Sequence, residues 1–212
     1  MPRTLGLALA SVALLIATVW GRPADPPDGL DARVRRFLDG RRGTWRDMNV
    51  PEADGRALHD LVIENKYKRG LEIGTSTGRS GIWIAWAMAK TGGKLITIDI
   101  DEGRHRQAVA NFKEAGVAPW IDARLADAHT LVPALEGSFD FVFIDADKDW
   151  YTNYAKAVLP KLTVGGSLTA HNVSPRGGWR RMTGDFYEYV TNLPNMESSF
   201  RAGVFVSRKV AK

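Results

Sequence analysis

One stretch of nine residues, Gly70-Leu-Glu-Ile-Gly-Thr-Ser-Thr-Gly78, constrains this chain more than any other. Leu71 and Ile73 form a short apolar run after the basic, turn-like Tyr67-Lys68-Arg69-Gly70. Gly74 and Gly78 then open an amphipathic segment from Ser80 to Ala89. Strand, glycine-rich turn and helix in that order make the entrance to a nucleotide-binding α/β sheet. Glycine suits the turn because the backbone must bend tightly and pass close to a ligand, with no Cβ in the way. The free N–H groups at the helix start attract polar or anionic ligand groups.

The glycine spacing separates two ligand classes. A dinucleotide site wants G-x-G-x-x-G around a pyrophosphate. This turn reads G-T-S-T-G, with the acid Glu72 shortly before its first glycine. A carboxylate there repels a pyrophosphate and suits a ligand carrying an ammonium and a sulfonium. The turn resembles motif I of the class I S-adenosylmethionine (SAM) methyltransferases. The alternatives are a generic α/β turn without a ligand and an NAD-dependent dehydrogenase, which the spacing and Glu72 disfavour.

The 212 residues suit one α/β domain with extensions, and 44% apolar content supplies a core. The absence of cysteine excludes disulfides and thiolate metal sites. The formal charge of +5 is local, with arginine concentrated at 33–46 and 176–181. Such a balance fits nucleic acid or anionic lipid, but a solvated basic face is the simpler reading.

Arg3 precedes an uncharged run from Thr4 to Gly21. Signal-peptide cores span about 7–15 residues and membrane helices about 20, and this run falls between them. Retained, it is a membrane anchor. Arg22, Arg33, Arg35 and Arg36 on its far side then place the catalytic domain in the cytoplasm. Cleavage after Val19-Trp20-Gly21 and export is the alternative. Three regions follow: the hydrophobic segment 1–21, a Pro-rich linker with a short basic helix (Asp31 to Leu38) at 22–47, and a catalytic domain at 48–212.

Within that domain, apolar residues at 57, 58, 61 and 62 give a helix one core-facing stripe after Pro51. Lys94–Asp99 is a second strand, and an acid at its end is where such folds hydrogen-bond a ribose, so Asp99 is the candidate. Asp101 reads as a helix N-cap. A helix runs from Glu102 to Ala115 and a strand from Trp120 to Leu125. Asp127, at that strand's ligand-facing end, either touches adenine or caps the helix His129–Leu135. His129 reads as a surface residue. Phe139–Ile144 is nearly all apolar, as a central parallel strand buried on both faces requires. It ends in Asp145-Ala-Asp-Lys-Asp149 at the edge of the glycine turn, a setting suited to a divalent cation. Gly165-Gly166 reads as a turn before a short strand, Ser167–Ala170, which delivers His171-Asn172 to the same edge. After a helix ending near Leu193, residues 196–200 and 203–208 form an antiparallel hairpin. The expected fold is α/β and Rossmann-like: a mostly parallel seven-stranded sheet, an antiparallel C-terminal hairpin, and helices on both faces.

From about Met48 onward the chain resembles the cation-dependent O-methyltransferases of the caffeoyl-CoA and catechol group. The matching stretches are M-N-V-P-E-A-D-G-R (48–56), L-E-I-G-T-S-T-G-R-S (71–80), F-D-F-V-F-I-D-A-D-K-D-W-Y-T-N-Y (139–154) and H-N-V (171–173). The resemblance implies that Val50, Glu72, Gly74, Ser76, Gly78 and Ser80 line the methionine end of SAM. It implies Asp99 at the ribose, and Asp127 and Ala128 at the adenine. Asp145 and Asn172 become cation ligands, with His171 beside Asn172 at the strand end as the further candidate, and Lys148 takes the acceptor hydroxyl proton. A homodimer is also implied.

One departure stands out. The family usually has Asp where this chain has His171. Losing that carboxylate weakens magnesium and favours manganese, iron or zinc. Alternatively His171 acts as a general base with no metal. The acceptor-side acid common near the family's last strands is also missing from Phe200–Val206.

The expected chemistry is in-line attack of an acceptor oxygen on the methyl of SAM, with S-adenosylhomocysteine leaving. The protein aligns the partners and ionises the acceptor. The acceptor is a small molecule, phenolic or acidic. Arg176, Arg180 and Arg181 with Trp179 flank its mouth and would also fit a phosphate backbone, but no separate nucleic-acid module accompanies them. A membrane-tethered protein that binds SAM or a metabolite without turnover is the rival from another class.

Overall fold

The computed structural model describes residues 29–45, 48–176 and 180–212. Among them seven strands form one sheet: β1 (Arg69–Ile73), β2 (Lys94–Asp99), β3 (Ile121–Leu125), β4 (Phe139–Ile144), β5 (Leu162–His171), β6 (Met196–Arg201) and β7 (Val204–Lys209). Their order is β3-β2-β1-β4-β5-β7-β6. The first five are parallel, and β7 runs antiparallel to both β5 and β6.

The helices are α1 (Leu30–Gly40), α2 (Glu52–Asn65), α3 (Arg79–Thr91), α4 (Glu102–Ala115), α5 (Ala128–Ala134), α6 (Tyr151–Val158) and α7 (Arg180–Thr191). Side chains alternate across a strand, so β4 serves two cores. Val142 and Ile144 join residues of α5, α6 and α7 on one face. Phe141 and Phe143 join residues of α2 and α3 on the other. All four are fully buried, as expected of a strand covered on both sides.

The short basic helix is part of this fold. α1 buries Leu30, Val34, Phe37 and Leu38 against Trp86, Phe112 and Trp120. Its Arg33 donates from Nε to Glu114 O (2.9 Å) and from Nη2 to Lys113 O (2.6 Å). A cation at the carboxyl end of α4 satisfies terminal carbonyls and complements the helix dipole. Among the described residues α1 is therefore packed into the same core as the elements after residue 48.

Gly165-Gly166 lies inside β5, not in a turn before it. The β4–β5 register shifts between Phe139 and Phe141. A Cβ on Gly166 would stand 2.9 Å from Asp140 O, so the pair lets the strand continue through an irregularity that a side chain would block.

The expected anchor falls on residues 4–21, which lie outside the described residues. Among the described residues no helix is long and apolar enough to cross a membrane. On that finding the expectation of a membrane-anchored chain is corrected, and it plays no further part. Trp179, from the arginine-rich loop, also lies outside the described residues.

α2 and α3 pack so closely that a Cβ on Gly55 would come 2.3 Å from Cδ1 of the buried Trp83 indole. Alanine in place of a mid-helix glycine ordinarily gains about 1 kcal/mol. Overpacking of this kind costs roughly 1–3 kcal/mol and should win. Gly55→Ala is expected to lower the urea midpoint; a raised midpoint would contradict the packing.

Candidate active site

The strand order reverses between β1 and β4, which opens a crevice beyond their carboxyl ends. A cavity of about 800 Å³ lies there. Its lining includes Gly74, Ser76, Asp99, Asp127, Ala128, Asp145, Lys148, His171 and Asn172. These lie at the carboxyl ends of β1, β2, β3, β4 and β5 or in the segments just after them, so one rim of the sheet gathers them all.

The glycine turn forms the floor. Gly74 N donates to Ile98 O at 2.9 Å, and its φ is +102°. A Cβ there would meet Asp145 O at 2.6 Å, so both conformation and space require glycine. Ser76 N donates to Asp99 Oδ2 (2.7 Å), and Asp101 N donates to Asp99 Oδ1 (2.9 Å). Each carboxylate oxygen keeps a further lone pair, so Asp99 can still accept from ligand hydroxyls. Asp101 caps α4 by accepting from Arg104 N at 2.8 Å. Asp127 caps α5 through His129 N (2.9 Å) while also facing the cavity. His129 is more than a surface residue: it stacks on Trp150 at 4.2 Å and lines the cavity too.

Four expected wall residues lie elsewhere. Val50 is buried in the α2–α3 core. Gly78 starts α3 with φ +95°, where a Cβ would strike Phe112 at 2.7 Å. Ser80 and Glu72 sit beneath the turn, 6% and 0% exposed. Thr97 Oγ1 donates to Glu72 Oε2 at 2.6 Å, while Oε1 has no protein partner. Burial pushes the Glu72 carboxyl up to about 8, against hydrogen bonds from Ser80 and Thr97 and with help from Asp145 and Asp99. Glu72 is thus a largely neutral acid at pH 7, set behind the wall. The structure places Glu72 beneath the turn, outside the cavity lining.

The other end of the cavity is ionic. Lys148 Nζ donates to Asp145 Oδ1 at 2.6 Å and to Tyr151 Oη at 3.0 Å. Tyr151 Oη donates to His171 O at 3.1 Å. His171 Nδ1 lies 3.4 Å from Asp145 Oδ2, and Nε2 donates to Asp54 Oδ2 at 2.9 Å. Burial alone would lower the His171 imidazole, but Asp145 and then Asp54 raise it above its ordinary value. Asp54 escaped the sequence reading, although a signal was present. It heads the stripe continued by Ala57, Leu58, Leu61 and Val62, and an acid on a core-facing stripe needs a partner.

A sequence profile of the family described as O-methyltransferase matches residues 32–196, well over half of the chain. The chain belongs to the O-methyltransferase family. Caffeoyl-CoA O-methyltransferase 1 of Eucalyptus globulus is 35% identical over 133 residues, 60% of this chain and 54% of that protein. Flavonoid 3',5'-methyltransferase of Vitis vinifera is 34% identical over 134 residues, 60% of this chain and 57% of that protein. The matched segment spans little more than half the length of these relatives. The O-methyltransferase from Bacillus cereus in complex with SAH superposes with a TM-score of 0.71 at 23% identity, over 85% of this chain and 91% of that one. TomG from Streptomyces achromogenes in complex with SAM gives 0.69 at 24%, over 87% and 91%. At these identities the likeness is one of fold.

The divalent cation expected of an O-methyltransferase of this kind finds a poor donor set. Among the described residues no group of three or more His, Asp or Glu side chains is placed to hold a metal ion. Asp145 is the one carboxylate among the expected ligands, and an ammonium already shares it. Its companions are an imidazole and an amide, whereas hard dications want several anionic oxygens.

The buried Glu72 carboxyl makes folding stability depend on pH. Its folded pKa lies above the unfolded value of 4.5, so ionisation opposes folding. Stability from this group is complete below pH 4.5 and is lost as pH rises to about 8. Glu72→Gln cannot ionise. Relative to wild type it should gain roughly 3 kcal/mol between pH 5 and pH 8 in urea unfolding. A pH-independent difference would contradict the buried acid.

Proposed function

We propose that this chain transfers the methyl group of SAM to a hydroxyl oxygen of a small-molecule acceptor. The reading is carried by one juxtaposition: the glycine turn with Asp99 and the Lys148–Asp145 pair face the same cavity. When bound, SAM supplies a methyl group made electrophilic by its sulfonium. Asp99 holds the ribose hydroxyls, Asp127 and Ala128 border the adenine, and Gly74 and Ser76 admit the methionine end. Glu72, Gly78 and Ser80 act from beneath by shaping the turn, and Val50 by backing it.

The acceptor enters between Met48, Met182 and the Lys148–Asp145–His171 cluster, all on the cavity wall. The two exposed methionines suit an acceptor with an apolar body, 68% and 43% exposed as they are. Lys148 is a hydrogen-bond donor here, committed to Asp145. Its role is to hold the acceptor oxygen in ionised form, and the proton passes to solvent at the cavity mouth. Fixed charge aimed at a developing or persistent oxyanion is worth several kcal/mol in a partly dry site. No step needs a cation. The profile match across 32–196 supports the transferase class, and the plant relatives' names support phenolic acceptors.

Lys148→Ala should lower turnover on the order of a hundredfold while SAM affinity stays within about twofold. The loss should shrink for acceptors acidic enough to ionise unaided. Normal turnover in a radiolabelled methyl-transfer assay, or an equal loss for all acceptors, would rule out this role.

A further inference from the structure

Resting on the transferase reading, we propose that Asp54 is a positioning residue and that a protein-borne chain, Asp54–His171–Asp145–Lys148, stands in for a divalent cation. The chain is continuous. Asp54 Oδ1 accepts from Gly203 N at 2.7 Å, which ties it to the turn between β6 and β7. Its Oδ2 accepts from His171 Nε2 at 2.9 Å. The opposite ring nitrogen faces Asp145 Oδ2 at 3.4 Å, and Asp145 Oδ1 accepts from Lys148 Nζ at 2.6 Å.

Every member is largely shielded. Side-chain exposure is 7% for Asp54, 14% for His171, 11% for Asp145 and 15% for Lys148. Three of the four line the cavity, and Asp54 stands behind them. Asp54 comes from α2 and lies close against the β6–β7 turn, where a Cβ on Gly203 would stand 2.7 Å from its Oδ2. Held this way, the imidazole ring has one orientation. It takes one oxygen of Asp145 while Lys148 takes the other, and the Lys148 ammonium is the positive charge that would face an acceptor oxygen in the cavity. A charge on a clamped side chain is pre-organised, which is what an electrostatic catalyst requires.

Manganese(II) titration of the full chain, followed by electron paramagnetic resonance with and without SAM, tests the substitution directly. No stoichiometric binding is expected up to about 1 mM, whereas His171→Asp, which adds a hard anionic ligand beside Asp145, should bind about one equivalent. One tightly bound manganese per wild-type chain, lost in Asp145→Asn, would overturn the proposal. Turnover should be unchanged by chelator; dependence on an added divalent cation would overturn it as well. Asp54→Asn keeps an acceptor for Gly203 N but loses the carboxylate behind the ring. It should lower kcat about 10–100-fold with KM for both substrates within about twofold. A change confined to KM would show that Asp54 is not a positioning residue. SAM calorimetry separates the two levels: failure of wild type to bind SAM sinks the transferase reading, while the manganese result still decides the cation question.

Discussion

The hydrogen bond from Asp145 N to Ile73 O, 2.8 Å long, is the contact on which the site depends. It extends the β1–β4 ladder one residue past the end of β4. The glycine turn leaves β1 there, and the acidic segment leaves β4. Because β1 and β4 are parallel and adjacent, both segments emerge on the same rim. Because the strand order reverses between them, they diverge and leave a crevice. Gly74 then passes so close to the Asp145 carbonyl that a Cβ on it would stand 2.6 Å from that oxygen. The ligand floor and the ionic end of the cavity are thus one mechanical unit. No change in one is local to it.

Much of this was legible in the sequence, for identifiable reasons. The unbroken apolar run at 139–144 marks a strand buried on both faces, and β4 is that strand. The hairpin at the end follows from two strands too close in sequence for a crossover, and β6 and β7 pair antiparallel. Asp99, Asp127, Asp145, Lys148 and His171 share one cavity because each ends a strand or follows one, and strand ends are readable. Depth is not. Spacing places Glu72 on β1 but does not say whether its side chain points into the crevice or beneath the turn. It points beneath, where Ser80 and Thr97 hold it. The Asp54–His171 contact joins residues 117 positions apart, and no local pattern encodes it. The Gly165-Gly166 pair looked like a turn because glycines usually interrupt strands; here they let one strand survive a register shift.

Three buried or nearly buried carboxyls show how differently one fold treats the same group. Glu72 has partners that are only hydroxyls, so burial drives it toward neutrality. Asp54 has a backbone amide and an imidazole N–H, and Asp145 an ammonium and an imidazole. Paired in this way, a carboxylate can stay charged without water. Glu72 supports the turn, and Asp54 and Asp145, each with donors on both oxygens, organise the other end of the cavity. The replacement of a carboxylate by His171 therefore reads as a change in how positive charge is delivered. On the proposal made above, a diffusible ion is exchanged for a side chain that the fold itself holds in place.

Calorimetric titration of SAM into the full chain and into Asp99→Ala tests the central claim, that the rim above β1 and β2 is a SAM site. One SAM per chain is predicted for wild type. The variant should bind at least roughly tenfold more weakly, the loss of two hydrogen bonds to a charged group. No binding by wild type, or equal affinity in the variant, would contradict the account.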